Sequence, residues 1–447
     1  MTDTICALAT TSGGALGIIR ISGDRSLEIL SHIFSKDLTT AAANTIHYGH
    51  ILDGTEVVDE VMVSIFRTPH SYTGEDAVEI SCHGSAYILN KVLELLIQNG
   101  CRMANPGEFT MRAYLNGKMD LSQAEAVADL IASTNNATHH MAMSQLRGHF
   151  SSELAVLREE LLRLTSLLEL ELDFSDHEDL EFADRTEILQ LASLIDKKIT
   201  TLAQSFETGQ ALKQGIPVAI VGKTNVGKST LLNHLMRDDR AIVSDIHGTT
   251  RDTIEDTIDL HGVTFRFIDT AGIRPTTDEI EQIGIQRTYQ AISKARIIIW
   301  MFDDQPSEAE ERDMTERCRE KMLIPVFNKS DIASAPCVQV SSVPVLNISA
   351  KYGQGIDSLE ESIFKAADIP AVTENDVIVT SARHYQVLLR AHDELHRVIL
   401  SLQDQLPADL VAENLRMVLV TLAEITGGQI TPQETLNNIF SHFCVGK

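Results

Sequence analysis

The residues that could carry chemistry are concentrated around one glycine-rich stretch in the middle of the sequence. Residues 222–229, Gly-Lys-Thr-Asn-Val-Gly-Lys-Ser, fit the pattern G-x-x-x-x-G-K-[ST]. Such a loop turns backbone N–H groups toward phosphate oxygens at the start of a helix, where the helix dipole favours an anion. We therefore expect Lys228 to contact the β- and γ-phosphates of a nucleotide and the Ser229 hydroxyl to bind Mg²⁺.

Two motifs that follow the loop could complete the phosphate chemistry. Residues 248–252, Gly-Thr-Thr-Arg-Asp, place Thr250 as a second Mg²⁺ ligand, and residues 269–272, Asp-Thr-Ala-Gly, offer a carboxylate to the magnesium shell and a glycine amide to the γ-phosphate. Ile273 stands where Ras-like proteins carry a water-orienting glutamine, and an apolar side chain cannot position water. Acidic residues that could take over this task are Asp278, Glu279 and Glu281.

Two later motifs predict which base is bound. Residues 328–331 are Asn-Lys-Ser-Asp, and the Asp331 carboxylate can accept hydrogen bonds from N1–H and the 2-amino group of guanine. Adenine offers neither donor and would leave a desolvated charge unpaired. Residues 349–351, Ser-Ala-Lys, can bracket the base from its other side. The ordered motifs together predict a GTPase domain.

Apolar patterning predicts the elements that position these motifs. Short continuous apolar runs separated by helical segments are typical of buried strands in a mostly parallel sheet. A helix is predicted over residues 229–236, and a hairpin through His261-Gly262 joins 256–260 to 263–268. The strand runs are 218–221, 265–268, 297–302, 324–327 and 343–346.

The flanking regions have two different patterns. Before residue 118, apolar runs at 17–21, 61–66 and 77–80 alternate with turn residues and one helical stretch, which predicts an α+β module. Apolar stripes at helical spacing then follow on both sides of the α/β region, which predicts a helical domain split in sequence. The predicted segments are 1–118 (α+β), 119–213 (first helical segment), 214–370 (inserted α/β) and 371–447 (second helical segment). The stripes are Leu154, Leu157, Leu161, Leu164 and Leu168; Leu388, Ala391, Leu395, Val398 and Leu402; and Val411, Leu415, Val418, Leu422 and Ile425.

Composition limits the possible function classes. The chain has 447 residues, with 37 Lys and Arg against 63 Asp and Glu, a net charge of −26. This acidity argues against the chain alone binding a polyanion such as RNA, because phosphate neutralisation needs Lys and Arg. The longest apolar run, 297–302, is too short to span a bilayer. The six scattered cysteines form no C-x-x-C pair, which suits reduced thiols in the cytoplasm.

The sequence also resembles the MnmE (TrmE) family of tRNA-modification GTPases over its full length. The segments that carry the resemblance are Gly-Ile-Ile-Arg-Ile-Ser-Gly at 17–23, Tyr-Thr-Gly-Glu-Asp at 72–76, Asn-Pro-Gly-Glu-Phe-Thr at 105–110 and Cys-Val-Gly-Lys at 444–447. The resemblance implies a folate-binding and dimerising N-terminal domain, a discontinuous helical domain and an inserted Ras-like G domain.

The resemblance further implies an activity and partners. A potassium-stimulated, homodimeric GTPase would join a flavoprotein, MnmG (GidA), in a heterotetramer. The complex would use a tetrahydrofolate derivative, 5-formyl or 5,10-methylene, to place a (carboxymethyl)aminomethyl group on C5 of the tRNA wobble uridine. The tRNA would be bound mainly through the partner complex, without a membrane, in the cytoplasm.

The resemblance assigns roles to particular residues. Asn225 would coordinate K⁺ with Ser244, Ile246 and Thr249; Glu281 would position the attacking water; and Arg251 and Asp252 would support catalysis beside Lys228 and Thr250. The folate residues would be Arg20, Glu79, Lys118 and Lys447, and Cys444 is either a reactive thiol or a packing residue. The nucleotide-contacting residues would be Asn225, Val226, Gly227, Lys228, Ser229, Thr230, Ser244, Asp245, Ile246, His247, Gly248, Thr249, Thr250, Asp269, Thr270, Ala271, Gly272, Asn328, Lys329, Asp331, Ser349, Ala350 and Lys351.

Two alternative functions stay open. A ribosome-assembly switch GTPase would use its nucleotide state to control RNA binding, and it predicts a basic flanking domain. A folate one-carbon transferase with a regulatory G domain would need an acceptor site within this chain. Neither feature is evident in the sequence.

Overall fold

The structure is a computed structural model, and its described residues divide into two compact units. The first unit comprises Met1–Ala132, Ala142–Thr201 and Arg383–Lys447, and the second comprises Ser133–Met141 and Leu202–Ala382. Each unit is therefore assembled from segments that are far apart in sequence. The described residues are 3–173, 185–236, 256–268, 289–332, 339–340, 343–369, 373, 376–428, 433–441 and 443–446.

The first unit begins with a mixed sheet backed by two helices. Its elements are β1 (Ile5–Leu8), β2 (Leu16–Ser22), α1 (Ser26–Ile33), β3 (Thr45–Asp53), β4 (Glu56–Phe66), β5 (Ala77–His83), α2 (Ala86–Gln98) and β6 (Arg102–Met103). The strand order is β3-β4-β5-β2-β1-β6, antiparallel except for the parallel pair β1–β6. The predicted apolar runs lie within β2, β4 and β5, which confirms the predicted α+β module.

Alternation along β5 separates the core from the outer face of this sheet. Val78, Ile80 and Cys82 are buried and pack with α1 and α2, whereas Glu79 points to the opposite face. The same alternation on β2 buries Ile19 and Ile21 and leaves Arg20 on the face that carries Glu79. The sheet register pairs Arg20 with Glu79 directly.

Helices follow the first sheet. They are α3 (Glu108–Leu115), α4 (Leu121–Ala132), α5 (Asn136–Leu146), α6 (His149–Asp173) and α7 (Arg185–Gln214). The predicted leucine stripe on α6 is confirmed, since Leu161, Leu164 and Leu168 are fully buried and Leu154 and Leu157 nearly so. The chain passes from one unit to the other within α5 and again within α7.

The second unit contains the predicted α/β sheet. Its elements are β7 (Ile216–Gly222), α8 (Lys228–Leu235), β8 (Asp256–Leu260), β9 (Val263–Phe267), β10 (Ile297–Phe302), α9 (Glu308–Arg317), β11 (Met322–Phe327), β12 (Gln339–Val340), β13 (Val343–Pro344), β14 (Leu346–Asn347) and α10 (Ile356–Ala366). The six-stranded sheet has the order β14-β11-β10-β7-β9-β8, parallel except for the edge strand β8.

One predicted strand of the second unit is wrong in its extent. The pattern of 343–346 predicts a single buried strand, but only β14 joins the main sheet. β13 instead pairs with β12 in a separate two-stranded ribbon, where Pro344 lies opposite Gln339. Pro344 explains the break, because a proline lacks the N–H that a central strand must donate.

The predicted hairpin between β8 and β9 is confirmed. His261 and Gly262 form the two-residue turn with positive φ values of 55° and 81°, the conformation that type I′ hairpins require. The Asp259 carboxylate accepts a hydrogen bond from the Gly262 N–H at 2.8 Å and closes the turn.

The first unit is completed by helices from the end of the chain, α11 (Ala382–Gln403), α12 (Ala408–Thr426) and α13 (Gln433–Ser441). All predicted stripe residues of α11 and α12 are buried, and α12 packs along α6. Helices from both sides of the inserted sheet thus share one core, as the split pattern predicts. None of the helices in the described ranges has both the length and the apolar character needed to cross a bilayer.

A buried ion cluster joins α4 to the start of α11. The Glu125 carboxylate lies 2.8 Å from Arg383 Nε and 2.8 Å from His384 Nε2. Burial alone would raise the pKa of Glu125, but the hydrogen bond from His384 and the charges of His384 and Arg383 outweigh burial and lower the pKa to about 2. Arg383 also donates to the carbonyl oxygens of Glu424 and Ile425 at the end of α12.

Candidate functional site

The glycine-rich loop of the second unit connects the carboxyl end of β7 to the first turn of α8. Gly222 has a φ of 153°, and a Cβ there would lie 2.3 Å from the carbonyl oxygen of Met301, so only glycine fits. Asn225 has a φ of 64°, in the left-handed region that asparagine tolerates better than most residues. The loop therefore adopts the strand–turn–helix context that a phosphate site requires.

Lys228 is the first residue of α8, and its side chain reaches back to the start of the loop. Its Nζ donates to the carbonyl oxygens of Gly222 at 2.6 Å and of Lys223 at 2.7 Å. Burial lowers the pKa of Lys228, because the charged ammonium loses contact with water. Ser229 and Thr230 occupy the first turn of α8, where backbone N–H groups have no partner within the helix.

Asn328 joins the phosphate loop to the segment predicted to contact the base. It follows β11, is 3% exposed, and donates from Nδ2 to the Val226 carbonyl oxygen at 2.8 Å. Its Oδ1 accepts from the Ala350 N–H at 2.9 Å. One buried side chain thus holds both segments of the site in a fixed relation. Gly227 lies so close that a Cβ there would be 2.3 Å from Asn328 Nδ2.

The carboxylate expected to recognise guanine is also oriented by a neighbour. The hydroxyl of the fully buried Ser349 donates to Asp331 Oδ1 at 2.6 Å. Asp331 itself is exposed, and Lys329 beside it pairs with Asp303 at 2.6 Å. Lys351 follows Ala350 at an exposed position. The described motif residues from β7, β11 and β14 are thereby brought together at one edge of the sheet.

Several predicted site residues lie outside the described ranges of the chain. They are Ser244, Asp245, Ile246, His247, Gly248, Thr249, Thr250, Arg251, Asp252, Asp269, Thr270, Ala271, Gly272, Glu281 and Lys447. Their roles stay predictions.

The sequence patterns do not indicate an ion pair that links the phosphate loop to α9. Lys223 Nζ lies 2.7 Å from Glu310 Oε1. The hydrogen bond from Lys223 and that from the Ser307 backbone lower the pKa of Glu310 to about 2. The Ser307-x-x-Glu310 capping box is a recognisable helix start in the sequence, but nothing in the pattern indicates which lysine its glutamate meets.

A second polar cluster lies on the outer face of the first unit's sheet. Arg20 Nε contacts Glu79 Oε1 at 2.6 Å, and Arg20 Nη1 donates to the carbonyl oxygen of Gly446 at 3.2 Å. The side chains of Arg20 and Glu79 are 27% and 30% exposed, so each retains atoms that a ligand can reach. The end of the chain is therefore seated beside two of the predicted folate residues.

Lys118 and Cys444, also predicted for the folate region, are anchored to other segments of the first unit. Lys118 Nζ donates to the Pro69 carbonyl oxygen at 2.9 Å, in the loop that precedes the segment 72–76. Cys444 is exposed, and its carbonyl oxygen accepts from the Gly107 N–H at 3.4 Å. The exposed Cys444 thiol is accessible, as a reactive thiol must be. The Cys444 backbone is bound to Gly107, as expected of a packing residue.

A buried charge network is linked to β2, the strand that carries Arg20, by the hydrogen bond from Ser22 to Glu75, and the sequence patterns do not indicate it. Arg112 is 1% exposed and contacts Glu75 at 3.0 Å, Glu108 at 3.1 Å and Asp3 at 2.9 Å. Burial opposes ionisation of Glu108, but the hydrogen bonds from Arg102, Asn105 and Arg112 leave its pKa below the usual value. Both glutamates belong to the segments 72–76 and 105–110, so the network accounts physically for those motifs.

Comparisons with known proteins establish the family of this chain. The family model described as "GTP-binding protein TrmE N-terminus" matches residues 4–118, and the model "MnmE helical domain" matches residues 121–444. A protein of Phocaeicola vulgatus named "tRNA modification GTPase MnmE" is 52% identical to this chain, covering 100% of the chain and 99% of the relative. The chain belongs to the MnmE (TrmE) family.

A second MnmE relative and one solved structure extend the comparison. The "tRNA modification GTPase MnmE" of Bacteroides thetaiotaomicron is also 52% identical, over 100% of this chain and 99% of its own length. The solved G domain of the T. maritima FeoB iron transporter covers 34% of this chain and 99% of its own, at 24% identity and a TM-score of 0.25. That score is too low to support an argument, so membership of the MnmE family rests on the sequence matches.

Proposed function

We propose that this chain is a GTP hydrolase that acts in the modification of tRNA. The observation that carries the proposal is Asn328, which ties the phosphate loop to the Ser349–Lys351 base segment in a chain that is 52% identical to tRNA modification GTPases over its full length.

The described residues support guanine selectivity. The Ser349 hydroxyl donates to one oxygen of Asp331 and so restrains the orientation of the carboxylate. A carboxylate accepts from both donors of guanine and pairs with neither group of adenine at the same position, so it favours GTP over ATP.

The cation ligands are proposed from residue chemistry. Ser229 and Thr250 would supply hydroxyl oxygens to Mg²⁺, and Asn225 would supply its side-chain oxygen to K⁺ beside Ser244, Ile246 and Thr249. The left-handed backbone of Asn225 supports this assignment, because it marks a turning point of the phosphate loop. K⁺ bound there would offset charge that develops between the β- and γ-phosphates.

The catalytic residues are proposed to act by position and charge. Lys228 holds the phosphates, Glu281 orients the attacking water, and Thr250, Arg251 and Asp252 support the reacting groups. Lys228 is well suited to this role because its ammonium is half-buried and already directed at the loop carbonyls, so little reorganisation is needed to meet an anion.

A tetrahydrofolate derivative, 5-formyl or 5,10-methylene, is proposed as the ligand of the second cluster. Glu79 can accept from the donor edge of a pterin, and Arg20, Lys118 and Lys447 can meet a glutamate carboxylate. The partial exposure of the Arg20–Glu79 pair supports this, because both side chains retain accessible polar atoms. Cys444 is proposed as an accessible thiol in the same region.

The assembly is proposed on the family relationship and on charge. The chain would form a homodimer and join the flavoprotein MnmG (GidA) in a heterotetramer in the cytoplasm. A net charge of −26 supports delivery of tRNA mainly through the partner complex, since the partner can supply a basic surface for the tRNA. The proposed domains are the folate and dimer domain 1–118, the helical domain 119–213 and 371–447, and the G domain 214–370.

The decisive experiment measures wobble-uridine nucleosides by mass spectrometry in cells that lack this protein. Loss of the C5-modified nucleoside, restored by the wild-type chain, is the expected result. An unchanged nucleoside profile would contradict the proposal and favour a ribosome-assembly switch.

A companion measurement tests the cation assignment. GTP turnover by the purified protein should rise when Na⁺ is replaced by K⁺, and Asn225→Ala should remove the difference while leaving turnover in Na⁺ nearly unchanged. Equal wild-type rates in both salts would refute a K⁺ ligand role for Asn225.

A further inference from the structure

A short segment at the start of α5 is packed into the second unit. Residues 133–141 belong to the second unit, although the residues immediately before and after them belong to the first. Ala137 and Met141, one helical turn apart on α5, are buried in the same core as Ile258, Val263 and Phe265 of the β8–β9 hairpin. The apolar patterns in the sequence do not indicate this placement.

Two hydrogen bonds fix the beginning of α5 to that hairpin. Asn135 Nδ2 donates to Thr264 Oγ1 at 2.6 Å, and the Ala137 N–H donates to the Gly262 carbonyl oxygen at 3.2 Å. The first N–H groups of a helix have no partner within the helix, so the turn carbonyl supplies one that α5 needs. Asn135 Oδ1 also accepts from the Thr138 N–H at 2.8 Å, which makes Asn135 the cap of α5.

The β8–β9 hairpin lies between two of the predicted nucleotide motifs in the sequence. β8 begins four residues after Asp252 in the 248–252 motif, and β9 ends two residues before Asp269. Each motif is therefore only a few residues along the chain from one strand of the hairpin. The other end of α5 lies among the first unit's helices, where Gln123 Nε2 donates to the Leu146 carbonyl oxygen at 3.0 Å and Gln145 Nε2 donates to the Ser122 carbonyl oxygen at 2.9 Å.

We propose that Asn135 is a positioning residue that couples the nucleotide state to the rest of the protein by binding Thr264 of the β8–β9 hairpin. The inference rests on the proposed function and adds to it a route by which GTP hydrolysis reaches the helices. A coupling element must differ in free energy between the two nucleotide states, so the Asn135–Thr264 and Ala137–Gly262 bonds are stronger in one state than in the other.

The test uses two substitutions at Thr264 in the full-length protein with its flavoprotein partner and tRNA. Thr264→Val keeps the volume and the strand preference but removes the hydroxyl, and Thr264→Ser keeps the hydroxyl. We expect Thr264→Val to lower the rate of tRNA modification at least fivefold, while Thr264→Ser stays within twofold of wild type. Both variants should hydrolyse GTP within twofold of wild type, because neither atom belongs to the nucleotide site.

Asn135→Ser provides the second arm, since serine caps a helix about as well as asparagine but cannot reach Thr264. It should lose modification as Thr264→Val does, and the double variant should be no worse than either single one. Wild-type modification rates in both Thr264→Val and Asn135→Ser would overturn the coupling role. A wild-type chain that hydrolyses no GTP or supports no modification would instead overturn the proposed function.

Hydrogen exchange distinguishes coupling from a static structural bond. Exchange at the Ala137 amide should differ at least threefold between protein with GDP and protein with GDP, aluminium fluoride and K⁺. Equal protection of Ala137 in both states would show a bond that does not respond to the nucleotide and would overturn the proposal.

Discussion

The two polar clusters of this protein are built in opposite ways. The phosphate loop takes its ligand-binding groups from consecutive residues between β7 and α8, so a strand, a turn and a helix start are sufficient to form it. The Arg20–Glu79 cluster joins residues 59 positions apart through sheet register and adds a carbonyl 426 positions from Arg20. A contiguous site can be recognised in a sequence by its motif, whereas a dispersed site exists only once the sheet and the chain end have met.

The clusters also differ in what supports them. Backbone geometry and the buried amide of Asn328 hold the phosphate loop. The strand that carries Arg20 is instead tied, through Ser22 and Glu75, to a network of buried charges centred on Arg112. Loss of a group in the first case should remove an activity, and in the second case it should first remove stability.

Lys228→Ala should have the largest effect. We expect kcat/KM for GTP to fall about a thousandfold, since removal of one preorganised charge from a phosphate site costs about 4 kcal/mol of transition-state stabilisation. Phosphate release under single-turnover conditions measures it. Lys223→Ala is the matched control on the same loop; its side chain is 73% exposed, and the rate should stay within about threefold. Comparable losses in both variants would contradict the central role of Lys228.

Arg112→Met should destabilise the first unit by about 3 to 4 kcal/mol. Methionine fills much of the space but leaves the largely buried Glu75 carboxylate without its cation and Glu108 with Arg102 alone, which is strongly unfavourable. Trp300, the single tryptophan of the chain, lies on β10 in the second unit, so fluorescence reports that unit while far-UV circular dichroism reports both. The substitution should therefore shift the urea transition followed by dichroism and leave the fluorescence transition in place.

The control for that variant is Arg25→Met, which breaks an exposed ion pair with Glu28. It should change the free energy of unfolding by less than about 1 kcal/mol. Equal effects of Arg112→Met and Arg25→Met would mean that the buried network does not stabilise the first unit.

Glu125 should give the first unit a specific acid sensitivity. Its pKa is about 2 in the folded chain against 4.5 as the ordinary value, so its stabilisation is complete above about pH 4.5 and is lost as the pH falls toward 2. The shift corresponds to no more than about 3 kcal/mol. In urea titrations at successive pH values, the free energy of unfolding of wild type minus that of Glu125→Gln should decline as the pH falls across this window. A constant difference down to about pH 2.5 would contradict the lowered pKa.

Arg20→Gln should have the smallest effect of the four. We expect affinity for 5-formyltetrahydrofolate to fall about tenfold, about 1.4 kcal/mol, because glutamine keeps a donor but loses the charge. Isothermal titration calorimetry measures it, and GTP hydrolysis should be unchanged. Arg25→Gln, on the exposed pair with Glu28, is the control and should bind normally. Full affinity in Arg20→Gln would exclude Arg20 from the folate site.

Patterning predicts the fold well where a single period governs burial. The leucine stripe of α6 and the stripes of α11 and α12 lie in the core because a 3.6-residue period admits one buried face. The prediction for 343–346 fails because apolar character does not report hydrogen-bonding capacity, and Pro344 interrupts the ladder. The sequence also does not predict that residues 133–141 belong to the second unit, since a helix pattern identifies a buried face but not the unit that covers it.

For the candidate site, the sequence predicts the residues of local motifs but not their contacts with distant segments. The residues of the phosphate loop and Asp331 follow from motif chemistry alone, and Arg20 and Glu79 follow from family resemblance. Other contacts depend on how separate segments pack together, which a short stretch of sequence does not show. They are the partners of Arg112, the pairing of Lys223 with Glu310, and the hydrogen bonds of Asn328. Their residue types are visible in the sequence, but their neighbours are not.

The carbonyl of Gly446 on Arg20 has a consequence for biosynthesis. A ribosome that adds roughly 5–20 residues per second needs roughly 20–90 s to make the 426 residues between these partners. During that interval Arg20 on β2 lacks its hydrogen bond to the Gly446 carbonyl oxygen. A truncation anywhere before residue 446 would therefore remove a contact from a strand that was synthesised long before the break.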